Sequence, residues 1–274
     1  MATAPDVLLN NGVSMPQLGF GVWRVSAAET EEVVGRALEA GYRSIDTAAM
    51  YGNEEGVGRA VAASGVPRDE VFVTSKLWND QHGYDAALKA FDASHQRLGL
   101  DHIDLYLIHW PVPSLGLYVE TFRALTRVLD DGRVRAVGVS NFEPEHLRRV
   151  IDEVGTTPAV NQVELHPYLQ QGDLRAFHAE HGIATEGWRP LGRGGDLLRE
   201  PVVATTAEKY GRTPAQVVLR WHLQLGNIVI PKSATPARIR ENFDVFGFEL
   251  ADDDMAAFAE LDRGTRLGMH PDEV

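Results

Sequence analysis

The chain has 274 residues, a length that suits one α/β barrel or two smaller domains, and its 44% hydrophobic content supports a sizeable core. Its formal net charge is −13, from 39 acidic and 26 basic residues, which argues against a general binder of nucleic acid or of an anionic membrane surface. There is no cysteine, so disulfides, thiolate metal sites and a cysteine nucleophile are excluded.

The N-terminal MATAPDVLLNNG has neither a basic n-region nor a long apolar core, so no signal peptide is expected. No apolar run reaches the length of a membrane span. A cytoplasmic, monomeric protein is the expectation. No linker or low-complexity tract divides the chain, which predicts a single domain over residues 1–274.

In chain order, VLLNNGVSMP reads as a β-hairpin with Asn11-Gly12 at its turn, placed to plug the bottom of a barrel. Ser26 followed by Glu29 predicts a capping box, and Gly41 stands where a left-handed helix end belongs. Ala87, Leu88, Phe91 and Leu98 mark one face of a helix that Gly99 ends. Leu147, Val150, Ile151 and Val154 mark another before Gly155. Thr213-Pro214 and Thr235-Pro236 each place an N-cap before a proline at the first helical position.

Between the helices lie eight short apolar runs, at 18–20, 43–45, 71–74, 103–108, 134–139, 159–163, 183–186 and 227–230. Strands this apolar, alternating with helices, predict a parallel sheet covered on its outer face. Eight such units at this length predict an α/β fold of the (β/α)8 TIM-barrel type.

Catalytic groups in such a barrel sit at the C-terminal ends of the strands. Here those ends carry Asp46, Lys76, His109, Trp110, Ser140, Asn141, Gln162 and Trp188. Asp46 and Lys76 would end neighbouring strands and form an ion pair, with Tyr51 folded over it. A phenol titrates near ~10 in water. An ammonium ~4 Å away at an effective dielectric near ~20 favours the phenolate by about 4 kcal/mol. That is an upper bound of roughly three pK units, because Asp46 partly neutralises Lys76. Tyr51 would then exchange a proton with a carbonyl oxygen, and His109 would orient or polarise that oxygen.

GYRSIDTAAMYGNEEGVG at 41–58, TSKLWN, LYLIHWP, GVSNF, NQVELHPY and IPKSATPARIREN together resemble the aldo-keto reductase superfamily over essentially the full chain. The chain is most similar to bacterial 2,5-diketo-D-gluconic acid reductases. The resemblance implies NADPH-dependent reduction of aldehydes and ketones, oxo-sugar acids such as 2,5-diketo-D-gluconate among them, with Asp46, Tyr51, Lys76 and His109 as the catalytic tetrad. It implies that Ser140, Asn141 and Gln162 hold the nicotinamide carboxamide and that Trp188 stacks on the ring. Lys232, Ser233, Arg238, Glu241 and Asn242 would hold the adenosine 2′-phosphate and adenine. Independently, the helix start at Thr235-Pro236, with Lys232 before it and Arg238 in its first turn, suits an anion. This favours NADP over NAD.

In the family the run Trp188-Arg189-Pro190-Leu191-Gly192 crosses the cofactor pyrophosphate, usually with a small residue where this chain has Arg189. Arg189 would add an electrostatic contact there. Trp23, Trp78 and Trp110 are expected to form a substrate-facing wall. The short connection after His109 and the short tail after Asp262 predict an open pocket. His178 and His181, on what reads as an exposed helix, lack a third ligand, so no metal site is expected. The alternatives are a non-catalytic NADP-binding regulatory protein of the same fold and, less favoured by the residues, a metal-dependent barrel hydrolase.

Overall fold

The structure, a computed structural model, describes residues 4–274. Residues 1–3, on which the signal-peptide reading partly rests, lie outside the described residues. The hairpin forms as β1 (Asp6–Leu8) and β2 (Ser14–Pro16), antiparallel with Val7 opposite Met15. Its turn is shifted from the expected one. Asn10 and Asn11 keep negative φ, and Gly12 alone is left-handed at φ +82°. This is a type I turn closed by glycine, with the Gly12 N–H donating to the Leu9 carbonyl at 2.9 Å.

Eight parallel strands follow: β3 (Phe20–Gly21), β4 (Ser44–Asp46), β5 (Phe72–Leu77), β6 (Ile103–Ile108), β7 (Val134–Ser140), β8 (Val160–Glu164), β9 (Ala184–Trp188) and β10 (Ile228–Val229). They lie side by side in chain order. A bridge between Leu18 and Val229 joins the last strand to the first, so the sheet closes into a TIM barrel. Every residue of β5 and β6 is buried, as expected when the barrel interior covers one face and helices the other.

The helices are α1 (Ala27–Ala40), α2 (Glu54–Ala63), α3 (Tyr84–Leu98), α4 (Tyr118–Asp130), α5 (Pro144–Val154), α6 (Gly172–His181), α7 (Pro201–Tyr210), α8 (Pro214–Gln224), α9 (Pro236–Phe243) and α10 (Asp252–Ala259). Gly41, Gly99 and Gly155 end α1, α3 and α5 in the left-handed region, as their places in the sequence predict. Thr213 caps α8, its hydroxyl accepting the Gln216 N–H at 3.3 Å. The capping box at Ser26 does not form. Its hydroxyl donates instead to the Glu29 carboxylate at 2.6 Å, an oxygen that outcompetes an amide contact because it is charged.

Alternation along the strands decides what fills the barrel. Phe72, Leu105, Leu107, Ala136, Val160 and Ile228 pack inside with Leu9 and Met15 of the hairpin, which closes the N-terminal end. Burying each of these side chains apart from that of Ala136 contributes about 1.5–3 kcal/mol. Gly138 is required in this interior, since a Cβ there would lie 2.5 Å from the Val160 carbonyl oxygen. Among the described residues no helix is long and apolar enough to cross a membrane.

Candidate active site

The same alternation carries polar groups to the opposite end. In the sheet register Lys76 pairs with Leu107, Ser140 with Gln162, and Gln162 with Glu186. Each follows inward-facing neighbours two residues earlier. Lys76 lies within β5, which runs three residues further than its apolar run at 71–74 suggested, to Leu77. Its Nζ donates to Asp46 Oδ1 at 2.7 Å, to Asp46 Oδ2 at 2.8 Å and to the Thr47 carbonyl at 3.0 Å. Both side chains are buried, so each charge depends on the other.

Tyr51 stands on a short 3-10 turn just past β4, with Lys76 Nζ 5.3 Å from the centre of its ring. The His109 ring is 5.7 Å from that of Tyr51 and 5.0 Å from that of Trp78. Nδ1 of His109 is closed off without a partner, which leaves Nε2 as the nitrogen able to meet a ligand. Burial, with the Lys76 charge adding to it, pushes the imidazole well below its usual pKa, so it is neutral and can donate from Nε2.

The expectation of a lowered phenol pKa is corrected. Burial pushes Tyr51 up to about 12, against the pull of Lys76 and with the Asp46 carboxylate opposing that pull. The reason is first the loss of water around the buried hydroxyl, which outweighs the pull of Lys76; Asp46, with both oxygens on the ammonium, cancels part of that pull. Asp46 also keeps Lys76 charged. Burial alone would lower the lysine, yet its pKa is raised. Tyr51 is therefore a protonated donor across the neutral range.

Around this centre lies a cleft of about 1150 Å³. Trp23, Trp78 and Trp110 line one end with Tyr51 and His109. Ser140, Asn141, Gln162 and Trp188 form the middle, and Lys232, Ser233, Arg238, Glu241 and Asn242 the far end, beside the N-terminus of α9. Arg189, Leu191 and Arg193 border the path between, and Gly192 stands among them on that loop. Trp188 Nε1 donates to Asn141 Oδ1 at 2.9 Å, which fixes the indole plane. Asn141 uses both N–H groups inside the protein, on the His109 carbonyl at 2.9 Å and Ser140 Oγ at 3.1 Å. Glu241 accepts the Thr213 hydroxyl at 2.7 Å.

The Arg189 guanidinium lies 4.9 Å from the Trp188 ring and 5.3 Å from the Trp23 ring, and its Nη1 is buried without a partner. Desolvation, then the charge of Arg193, lowers its pKa, with Arg24 adding to the repulsion. Three arginines, Arg24, Arg189 and Arg193, bordering one passage are chemically suited to an anion.

Three features escaped sequence reasoning. Glu186, inside β9, is fully buried beside Gln162. Its signal was a carboxylate in a buried strand, the same signal that Asp46 gave. Glu164 binds the C-terminal tail, and Leu267, Gly268 and Met269 of that tail line the cleft, short as it is. Arg24 lines it too. The exposed-helix reading of the two histidines is corrected at His178. That ring is buried, between Asn161 Nδ2 at 2.9 Å and Thr185 Oγ1 at 2.8 Å. Among the described residues no group of three or more His, Asp or Glu is arranged to hold a metal.

The Aldo/keto reductase family model matches residues 15–263. An aldo-keto reductase of Mycolicibacterium smegmatis is 59% identical over 268 residues, covering 98% of this chain and 97% of that protein. Methylglyoxal reductase DkgA of Escherichia coli K12 is 50% identical over 274 residues, covering 100% of this chain and 99% of its own. Among solved structures, a Gox0644 variant in complex with NADPH superposes with a TM-score of 0.96 at 51% identity, covering 100% of this chain and 99% of that one. A Bombyx mori aldo-keto reductase in complex with NADP gives 0.91 at 36% identity, covering 97% and 95%. The chain belongs to the aldo/keto reductase family of oxidoreductases.

Proposed function

We propose that the chain, acting as one domain, reduces aldehydes and ketones to alcohols with NADPH, and does so as a cytoplasmic monomer. The observation that carries this reading is the meeting of a protonated phenol and a neutral imidazole at one end of the cleft, above a buried ion pair. The rest of the cleft fits the cofactor. Lys232, Ser233 and Arg238 stand at a helix N-terminus for the 2′-phosphate, and the Arg189 guanidinium borders the way. Gln162 and Trp188 flank the place for the nicotinamide.

Bound NADPH supplies a hydride to the carbonyl carbon. His109 Nε2 donates a hydrogen bond to the carbonyl oxygen and orients it. Tyr51 transfers its hydroxyl proton to that oxygen as negative charge gathers there, a contribution of roughly 10²–10⁴-fold. Lys76 stabilises the phenolate left behind, and Asp46 holds Lys76 charged and in place. The tryptophan wall of Trp23, Trp78 and Trp110 excludes water and suits compact carbonyl compounds. Small dicarbonyls, as for the methylglyoxal reductase relatives, and oxo-sugar acids such as 2,5-diketo-D-gluconate are the substrate classes we assign.

The test is Tyr51→Phe, assayed with methylglyoxal and an oxo-sugar acid. The variant should retain NADPH binding and lose turnover by at least ~100-fold. Turnover equal to that of the parent would remove Tyr51 from the mechanism. Absence of turnover in the parent with every carbonyl tried, alongside tight NADPH binding, would favour the non-catalytic regulator.

A further inference from the structure

Gln162 reaches across the barrel between two acids. Its Nε2 lies 2.8 Å from Asp46 Oδ2 and 2.8 Å from Glu186 Oε2. A side-chain amide has two N–H donors on one side and an acceptor oxygen on the other. Both donors of Gln162 are thus directed at carboxyl groups. Asp46 is an obligate acceptor, because it is bound to the Lys76 ammonium. Glu186 sits beside Gln162 in the register of β8 and β9 and has no exposure. Its other oxygen, Oε1, has no partner at all. A buried acid kept for a single accepted hydrogen bond is costly where an apolar residue would pack, so what that bond does matters.

Without Glu186 one N–H of Gln162 would be buried and unsatisfied, and the amide would be held at one corner only. With both acids in place the amide has one orientation, and its Oε1 is the atom turned to the cleft that Gln162 lines. We propose that Glu186 is a positioning residue. It fixes the Gln162 amide so that Oε1 stands as an acceptor for the carboxamide N–H of the nicotinamide. The proposal rests on the NADP(H) reading above. It also assigns a division of labour, since Asn141 and Ser140 use their donors within the protein and leave Gln162 as the uncommitted acceptor.

The experiment compares NADP+ with 2′,5′-ADP, which carries the 2′-phosphate end but no nicotinamide, by calorimetric titration of Glu186→Met and Glu186→Gln. Glu186→Met removes the acceptor at nearly constant shape. It should weaken NADP+ about tenfold and leave 2′,5′-ADP within about twofold, the loss expected for one misplaced hydrogen bond. Glu186→Gln keeps a carbonyl oxygen for Gln162 and should leave both ligands within about twofold. Gln162→Met combined with Glu186→Met should be no worse for NADP+ than Gln162→Met alone, because one residue acts through the other. If Glu186→Met is insoluble, Glu186→Ala takes its place in the same comparison.

Unchanged NADP+ affinity in the methionine variant would overturn the proposal. So would parallel losses of both ligands, which mark a structural role, or a glutamine variant as weak as the methionine one. A parent protein that binds neither ligand would overturn the cofactor reading and this proposal with it. A parent that binds both, with indifferent Glu186 variants, would overturn this proposal alone.

Discussion

Glu164 Oε2 accepts the backbone N–H of Gly268 at 2.8 Å, joining the end of a barrel strand to the C-terminal tail. Its Oε1 accepts the Leu267 N–H at 2.7 Å and faces His166 Nε2 at 3.1 Å. Burial pushes this carboxyl up, but the bonds from His166, Leu267 and Gly268 more than offset it, so it is held below the usual range. The tail is therefore pinned by a charged acceptor at the point where it walls the cleft. Glu164→Gln turns an amide N–H toward a backbone N–H and should cost about 1–3 kcal/mol of local stability. Trypsin should then cut after Arg263 or Arg266 several-fold faster than in the parent. Identical cleavage rates would show that the tail is held by something else.

Lys232 and Arg238 are both exposed beside the start of α9, and neither is in an ion pair among the described residues. Each charged hydrogen bond to a 2′-phosphate should contribute about 1.5–3 kcal/mol. Truncating both to alanine should weaken NADPH at least ~10-fold and change NADH much less. A fluorescence titration showing equal losses for the two cofactors would remove these residues from 2′-phosphate recognition.

Arg189 adopts a left-handed backbone at φ +52°, which directs its side chain onto Trp23 and Trp188. Its guanidinium borders the cleft, and the cofactor pyrophosphate, common to NADPH and NADH, is the acceptor we expect. Arg189→Ser should weaken both cofactors by similar factors and flatten the dependence of affinity on salt. Unchanged affinities and slope would remove the contact. Tighter binding by the variant would mean that the guanidinium displaces the loop.

Burial, and then the Asp46 charge, raises the Glu186 carboxyl to about 8. The folded protein therefore binds a proton there that the unfolded chain releases near ~4.3. By linkage this group lowers stability as pH rises from about 4.5 to 8, since the folded state binds more protons over that window. Glu186→Gln cannot ionise, so it should gain on the parent in urea midpoint between pH 5 and pH 9. A difference that does not change with pH would show that Glu186 is already ionised in the fold.

Much of the architecture was legible in the residues because it is set by short-range rules. Gly41, Gly99 and Gly155 end helices because they accept a left-handed backbone, and eight apolar runs form strands because each must be covered on both faces. Period-two alternation then brought Asp46, Lys76, His109 and Gln162 to one rim, where the sequence blocks had already named them. Packing decided what depends on distance and on the exclusion of water. The hydroxyl of Ser26 met a carboxylate rather than the helix backbone, and His178 turned into the core between Asn161 and Thr185. The proton affinity of Tyr51 was decided first by burial, which outweighs the pull of Lys76 that Asp46 partly cancels, and the extent of burial has no signature in the chain. Glu186 beside Gln162, and Glu164 beneath Gly268, bring together residues 24 and 104 positions apart. The sequence by itself determined which strand-end side chains reach the rim, through local backbone preference and alternation. Only the tertiary structure decided which of them hold protons and which hold one another, because desolvation and hydrogen-bond partners exist only once the barrel has closed.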